Sequence, residues 1–499
     1  MELMMLIRTR AVLVLLSLVM FALAACGDDS TQERPSRNDA SITDSGADAD
    51  VQDGGQDAAD SSDAVADAGD TGRDADTSTE SCEPTSPFRT EAIFPTDVYV
   101  SPSGDDANTG RQDAPFATLE HAASDAVPGA RIHLMAGTYA GGIHIAELQG
   151  TADNPITITG EDDAVIDGGN TGLQLSDPAY LVVENLTIHN TAQNGLNIDD
   201  AGSFDTPAHH IVLRNITVEN VGSGGNEDCI KMSGVDDFWV LDSDVSACTG
   251  QGIDMVGCHD GVISGNHIHD KPSSGVQAKG GTSDILIHGN RFARVTGRGI
   301  NAGGSTGLAY FRPQDAAFEG ARIRVVANIF EQVGAESGAP IAFVGCDACV
   351  FANNTVIEPK TWVARILQET TGERFVPSRD GLFVNNIVMF NVADLRNGVF
   401  VNVGPNTAPE TFTFANNLWF AMDDASFSGP TLSGGIPAAQ DSIVQQDPAF
   451  NDQAGGDYHI EATSPAANRG QEVPGAAFAD FDDVCFEEPP SVGAFEAVD

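Results

Sequence analysis

Six short segments recur along the chain at nearly one step: Thr171-GLQLS, Asn194-GLNID, Asp228-CIKMS, Gln251-GIDMV, Ser274-GVQAK and Arg298-GINAG. Their second residues, Gly172, Gly195, Cys229, Gly252, Gly275 and Gly299, are 23, 34, 23, 23 and 24 positions apart, the long step carrying an insertion near AGSFDTPAHH. Within each segment apolar and polar residues alternate, the period of a half-buried strand. A second series, Asn266, Asn290, Asn328, Asn354, Asn386 and Asn417, stands ahead of apolar pairs, as in GNHI, GNRF, ANIF, NNTV, NNIV and NNLW. The step is too short for propeller blades, and no 3.6-period segments separate the strands, which excludes α/β folds. One coil of three short strands per step fits a parallel β-helix, whose stacked coils share a core and repeat each position about 4.8 Å up the stack. The asparagines then have a structural place, each amide bonding to its neighbours in the coils above and below.

Stacking the six segments sends their third and fifth residues inward and their fourth and sixth outward. The fourth column reads Gln174, Asn197, Lys231, Asp254, Gln277, Asn301, and the sixth Ser176, Asp199, Ser233, Val256, Lys279, Gly303. Asp228, Gln251, Ser274 and Arg298 head the strands. Asp254 and Lys279 are then about 8 Å apart at their Cα atoms, close enough for their side chains to meet. A solvated charge ladder, with ion pairs worth about 0–1 kcal/mol, is one account of such a face. The functional account is a surface for an extended sugar chain. Lys279, Asp254, Asp228, Arg298 and Lys231 are its candidate catalytic groups, and Gln251, Gln277 and Asn301 its candidate substrate contacts.

Two long interruptions, 305–320 and 361–380, are expected to overhang that face. They offer Tyr310, Phe311, Arg312, Trp362, Arg365, Gln368, Glu369 and Arg374. Rings that stack on sugars and arginines that grip carboxylates suit the walls of a groove, which makes Tyr310, Arg312 and Arg365 candidate substrate contacts. Trp362 fits a core position equally well.

The net charge of −49, with only four lysines, excludes a nucleic-acid partner, because no basic face exists to displace counterions. Arg8 and Arg10 followed by the apolar run Ala11 to Leu23 read as an export signal. Residues 27–80 hold sixteen acids and three arginines, so 27–81 is expected to be a disordered tether and 82–499 the folded domain. Of the seven cysteines after Cys26, at least one must stay unpaired if the rest form disulfides. His267 and His269 share a strand face, though no histidine spacing here matches a known metal motif. An amphipathic stretch, Ala117–Ala126, is expected to form a helix capping the N-terminal end of the solenoid.

Leu23-Ala24-Ala25-Cys26 resembles the bacterial lipoprotein lipobox. That resemblance implies a lipid on Cys26, a signal peptide of 1–26 and an exported protein on the cell envelope that meets the membrane only through its lipid anchor. YVSPSGDDANTGRQDAPFATLEHAASDAVPGARIHLMAGTY and FADFDDVCFEEPPSVGAFE resemble the opening and closing segments of right-handed parallel β-helix proteins of the pectin-lyase-like superfamily. The resemblance covers about 98–499.

Gln193-Asn194-Gly195, Glu227-Asp228-Cys229, Gly250-Gln251-Gly252 and Gln277-Ala278-Lys279 are similar to the successive coil motifs of polygalacturonases. This implies Glu227 as general acid, Asp228 as the water-activating carboxylate and Lys279 as a substrate-binding cation. Asn194, Gln251 and Gln277 stand where that family carries Asp, His and Arg. Asn226-Glu227-Asp228-Cys229-Ile230 and Thr249-Gly250-Gln251-Gly252-Ile253-Asp254 also resemble the calcium-dependent pectate lyase pattern, keeping its outer aspartates. There Lys279 is similar to the lysine base, with Lys231 or Arg298 neutralising a uronate, and calcium is the cofactor implied. The expectation is a monomeric carbohydrate-active protein on an acidic polysaccharide, a lyase ahead of a hydrolase. Its alternative is a non-catalytic carbohydrate-binding or structural surface protein.

Overall fold

The structure is a computed structural model describing residues 82, 87–225, 227–270, 272–473 and 479–498. Cys26, the signal segment and the acidic stretch 27–81 lie outside the described residues.

Each turn of the chain contributes three strands, as in Val235–Leu241, Asp244–Cys248 and Gln251–Val256, followed by His259–Ser264, His267–His269 and Ser274–Lys279. Every third strand pairs in parallel with its counterparts to form a ten-stranded sheet, here the ladder sheet, and the other two join a 24-stranded sheet. The architecture is a single parallel β-helix. The six aligned segments are six consecutive rungs of the ladder sheet. Their fourth residues form one unbroken column, His144, Gln174, Asn197, Lys231, Asp254, Gln277, Asn301, Ala342, Arg365, Asn402. The third residues run inward from Leu173 through Ile253 to Ile300, all fully buried.

The second series forms a buried hydrogen-bond row. Each Nδ2 donates to the next Oδ1, from Asn266 to Asn290 (2.9 Å), Asn328 (2.9 Å), Asn354 (3.0 Å), Asn386 (3.1 Å) and Asn417 (2.9 Å). The backbone N–H of each asparagine from Asn266 to Asn386 donates to the same oxygen, so these buried amides are satisfied within the row. The residue before each asparagine, Gly265, Gly289, Ala327, Asn353, Asn385 or Asn416, has a left-handed backbone with φ between 51° and 69°. Glycine and asparagine adopt that conformation most readily, which accounts for the GN and NN dipeptides. Inside the coils Phe292, Phe330, Phe351, Phe383 and Phe414 stack in sequence with centroids 4.8–5.3 Å apart.

The helix is shorter than expected, Leu119–Ser124, with the Thr118 side chain accepting the His121 N–H at its start. It buries Leu119, Ala122 and Ala123. Disulfides join Cys82 to Cys485, Cys229 to Cys248 and Cys346 to Cys349, leaving Cys258 buried and free. Near the C-terminal end, Tyr458, Ile460, Val492 and Phe495 pack against Ile329, Ile357 and Ile387 of the larger sheet.

Candidate functional site

At the centre of the ladder column two carboxylates and two ammonium groups meet. Asp228, at the start of its rung, and Asp254, one rung on, are both fully buried. Lys231 stands between them, donating to Asp228 Oδ2 at 2.9 Å and to Asp254 Oδ2 at 2.6 Å. Lys279, from the next rung, reaches Asp254 Oδ1 at 3.2 Å. The network continues up the column. Gln277 donates to Asp254 Oδ1 at 2.9 Å, Asn301 to Gln277 at 2.7 Å, and Arg298 to Asn301 at 2.7 Å and to Glu369 at 2.6 Å. Below it, Asn197 donates to Gln174, and both also donate to Asp199.

The local sequence explains how Asp228 reaches this position. Its Oδ1 accepts the Gln251 N–H at 2.9 Å, and a Cβ on Gly250 would lie 2.6 Å from that same oxygen. Only glycine at 250 leaves room for the carboxylate. The disulfide at Cys229 ties the same corner to Cys248 across the coil.

Burial and charge push the two carboxyls apart. Desolvation and the charge of Asp254 raise Asp228 above the ordinary carboxylate value, against the pull of Lys231. Asp254 is equally desolvated, but Lys231 and Lys279 together hold it below that value. Lys231 is desolvated too, and the two carboxylates outweigh this and push its ammonium well above the lysine value. Lys231 is therefore a fixed cation.

The outward column is more buried than a solvated ladder would be. Gln251, Asp254, Gln277 and Asn301 are all under a tenth exposed, and side-chain exposure at the charged positions is 23% for Lys231, 13% for Lys279 and 18% for Arg298. Their cover comes from distant chain. Segment 305–320 lies against the rungs with Phe311 buried, and Glu319 accepts from Gly280 N, Thr306 and Thr370, the last from the following interruption.

Several expected contacts are reassigned. Arg312 is buried and donates through Nε and Nη2 to Asp200 (2.5 and 2.9 Å) and through Nη1 to the Tyr310 carbonyl. Its guanidinium also lies 4.3 Å above the Phe204 ring, so it fastens the loop to the insertion at 201–207 and does not grip a ligand. Segment 361–380 does not overhang throughout, because Ala364–Leu367 is a further ladder rung that puts Arg365 in the column itself. Trp362 is buried between the guanidiniums of Arg365 (4.6 Å) and Arg396 (4.7 Å), and burial beside Arg298 and Arg396 lowers Arg365 to about 10. Tyr310 is 63% exposed, as a stacking residue requires. Glu227 turns away from the network to accept from Thr249 at 2.9 Å, so Glu227 and Asp228 do not face each other as an acid–base pair.

Calcium does not fit this centre. It takes six to eight oxygens, and all four carboxylate oxygens of Asp228 and Asp254 already face N–H donors from Gln251, Lys231, Gln277 and Lys279. The Lys231 ammonium occupies the place between the carboxylates where a bridging cation would sit.

Residues 98–270 match the family described as the Pel9A-like, right handed beta helix region. Among solved structures, pectate lyase Pel9A aligns over 82% of this chain and 98% of its own, at 15% identity and a TM-score of 0.51. An alginate lyase from Paenibacillus sp. str. FPU-7 aligns over 65% of this chain and 95% of its own, at 17% identity and a TM-score of 0.39. The uncharacterized protein YwoF of Bacillus subtilis (strain 168) is 26% identical over 141 residues, 26% of this chain. The chain spans 30% of the length of that curated relative.

Proposed function

We propose that this chain, a right-handed parallel β-helix of the pectin-lyase-like superfamily, binds an acidic polysaccharide along the ladder sheet and cleaves it by β-elimination. One observation carries the reading. Asp228 and Asp254 at the centre are fully buried, while the side chains of Lys231, Lys279 and Arg298 keep 23%, 13% and 18% of their surface exposed. Three partly exposed cations on neighbouring rungs, in a chain of net charge −49, suit an anionic ligand. The fold it shares with pectate lyase Pel9A agrees with a uronate-containing substrate.

In β-elimination a base takes the proton from the carbon next to the uronate carboxylate. The electron pair forms the new C=C bond, the C–O bond to the next sugar breaks, and the departing oxygen takes a proton from solvent water. Lys231, clamped by two carboxylates, serves as the permanent cation that neutralises the uronate, together with Arg298. Lys279 serves as the base. Its ammonium pairs with Asp254, which has Lys231 and Gln277 as further donors. Exposed Tyr310 stacks on a sugar ring at the groove wall. The chain acts as a monomer, held on the cell envelope by a lipid on Cys26 through the acidic tether.

The second reading, binding without cleavage, is favoured by the ion pair that engages Lys279. Calorimetric titration of the full chain with oligouronates tests what both readings share. Saturable binding, lost in Arg298→Ala and Lys279→Ala, supports a glycan site. Equal binding by these variants and wild type moves the ligand off this face.

A further inference from the structure

On the larger sheet, away from the ladder, two imidazoles and a carboxylate converge on neighbouring rungs. His267 and His269 alternate along one strand and so face the same way, and Asp244 is the register partner of His267 one coil below. The two rings stack with centroids 4.0 Å apart and planes 18° apart. His267 Nδ1 is 3.2 Å from Asp244 Oδ2, and His269 Nε2 is 3.2 Å from Asp244 Oδ1. One ligand atom from each of the three residues falls within 4.8 Å of the other two. Bonds of about 2.0–2.1 Å from a tetrahedral zinc ion require ligand atoms about 3.4 Å apart, close to the observed nitrogen–oxygen separations.

The surroundings prepare His269 for a metal. Its Nδ1 lies 2.8 Å from Asp270 Oδ2, and Asp270 is gripped by Arg294 through two bonds of 2.6 and 3.1 Å. A carboxylate on one ring nitrogen fixes the tautomer that leaves the other nitrogen's lone pair free, the usual second partner of a metal-bound histidine. Asp270 can turn back this way because its own backbone is left-handed, at φ 52°. The side chains of His267 and Asp244 are 42% and 44% exposed, so the remaining coordination positions open to solvent. His267 also lines a cleft of about 830 Å³, walled by Arg291, Glu331 and Tyr458.

We propose that Asp244, His267 and His269 bind a divalent transition metal of the zinc type, with Asp270 and Arg294 as positioning residues. Nitrogen ligands favour such an ion over calcium or magnesium. The site is separate from the ladder centre and from its reaction.

The test is to strip the full chain with a chelator and titrate it with zinc chloride against a chromophoric competitor, and with cobalt(II) chloride for its visible spectrum. The expected result is one saturable zinc site, unaffected by excess calcium, with cobalt bands of tetrahedral type. His267→Gln, His269→Gln and Asp244→Asn should each abolish the bands, and Asp270→Asn should weaken zinc about tenfold to a hundredfold. Far-ultraviolet circular dichroism checks that each variant is folded. Asp244→Asn and His269→Gln alter different coils, so a local defect in one does not disable the other. No saturable zinc site, or zinc bound equally by wild type and all three ligand variants, overturns the proposal.

Discussion

Lys231 Nζ lies 2.6 Å from Asp254 Oδ2 and turns the centre of the ladder sheet into a closed charge network instead of a row of solvated side chains. The same ammonium donates to Asp228 at 2.9 Å, so one cation serves two fully buried anions. Removing it should be costly. Lys231→Met leaves Asp228 with no cation and Asp254 with Lys279 alone, a defect of about 3–5 kcal/mol. Lys279→Ala should cost far less stability, because Asp254 keeps Lys231 and Gln277. Chemical denaturation of the two variants measures the difference, and equal losses would refute this division of labour.

The two aspartates should respond to pH in opposite senses. Asp254 is held below the ordinary value of 3.8, so its stabilisation is present above that value and fades as the pH falls through the lowered one. Asp228 is raised above 3.8, so its contribution is present below that value and is lost as the pH rises through the elevated one. Unfolding free energies across the acid range should therefore show Asp254→Asn losing its penalty towards low pH and Asp228→Asn costing least near neutrality. Parallel profiles for the two variants would contradict the assignment.

The asparagine row gives a positional test. Asn328 makes five side-chain hydrogen bonds in the middle of the row, two accepted from Asn290 and three donated. Asn417, at the end, accepts two from Asn386 and donates one to Phe383. At about 1 kcal/mol per bond, and more where a buried partner is stranded, Asn328→Ala should cost at least 3 kcal/mol and Asn417→Ala clearly less. Thermal unfolding of the pair checks the order.

Arg312 should prove structural. Arg312→Ala strands Asp200, whose side chain is 1% exposed, and should destabilise by about 3–5 kcal/mol. Lysine should not restore the loss, since it lacks the planar fork that meets both oxygens. Limited proteolysis of 305–320 reports the loosened loop directly.

The coil period was legible because every turn must return each strand to the same register. Gly172, Gly195, Cys229, Gly252, Gly275 and Gly299 carry that constraint in plain spacing. The asparagine row was legible for the same reason. The cover over the ladder was not, because it depends on pairings with no period: Arg312 with Asp200 across 112 residues and Arg298 with Glu369 across 71. Trp362 fits a groove wall and a core position equally well in the sequence, because the rung beside it, Ala364–Leu367, follows an interruption and not the regular step. The facing of Asp254 and Lys279 follows from strand geometry alone, but the place of Lys231 between Asp228 and Asp254 depends on how far its side chain reaches across the rungs. Asp244 opposite His267 was hidden in a strand that carries no repeated motif.

The most direct test of the central claim follows the ultraviolet absorbance of the unsaturated uronide that β-elimination produces. The full chain is assayed on pectate, alginate and glycosaminoglycans, with and without a chelator. Cleavage at the ladder should give a signal on an acidic glycan that survives chelation and is lost in Lys279→Ala. Silence on every glycan, or a signal unchanged by Lys279→Ala, would contradict it.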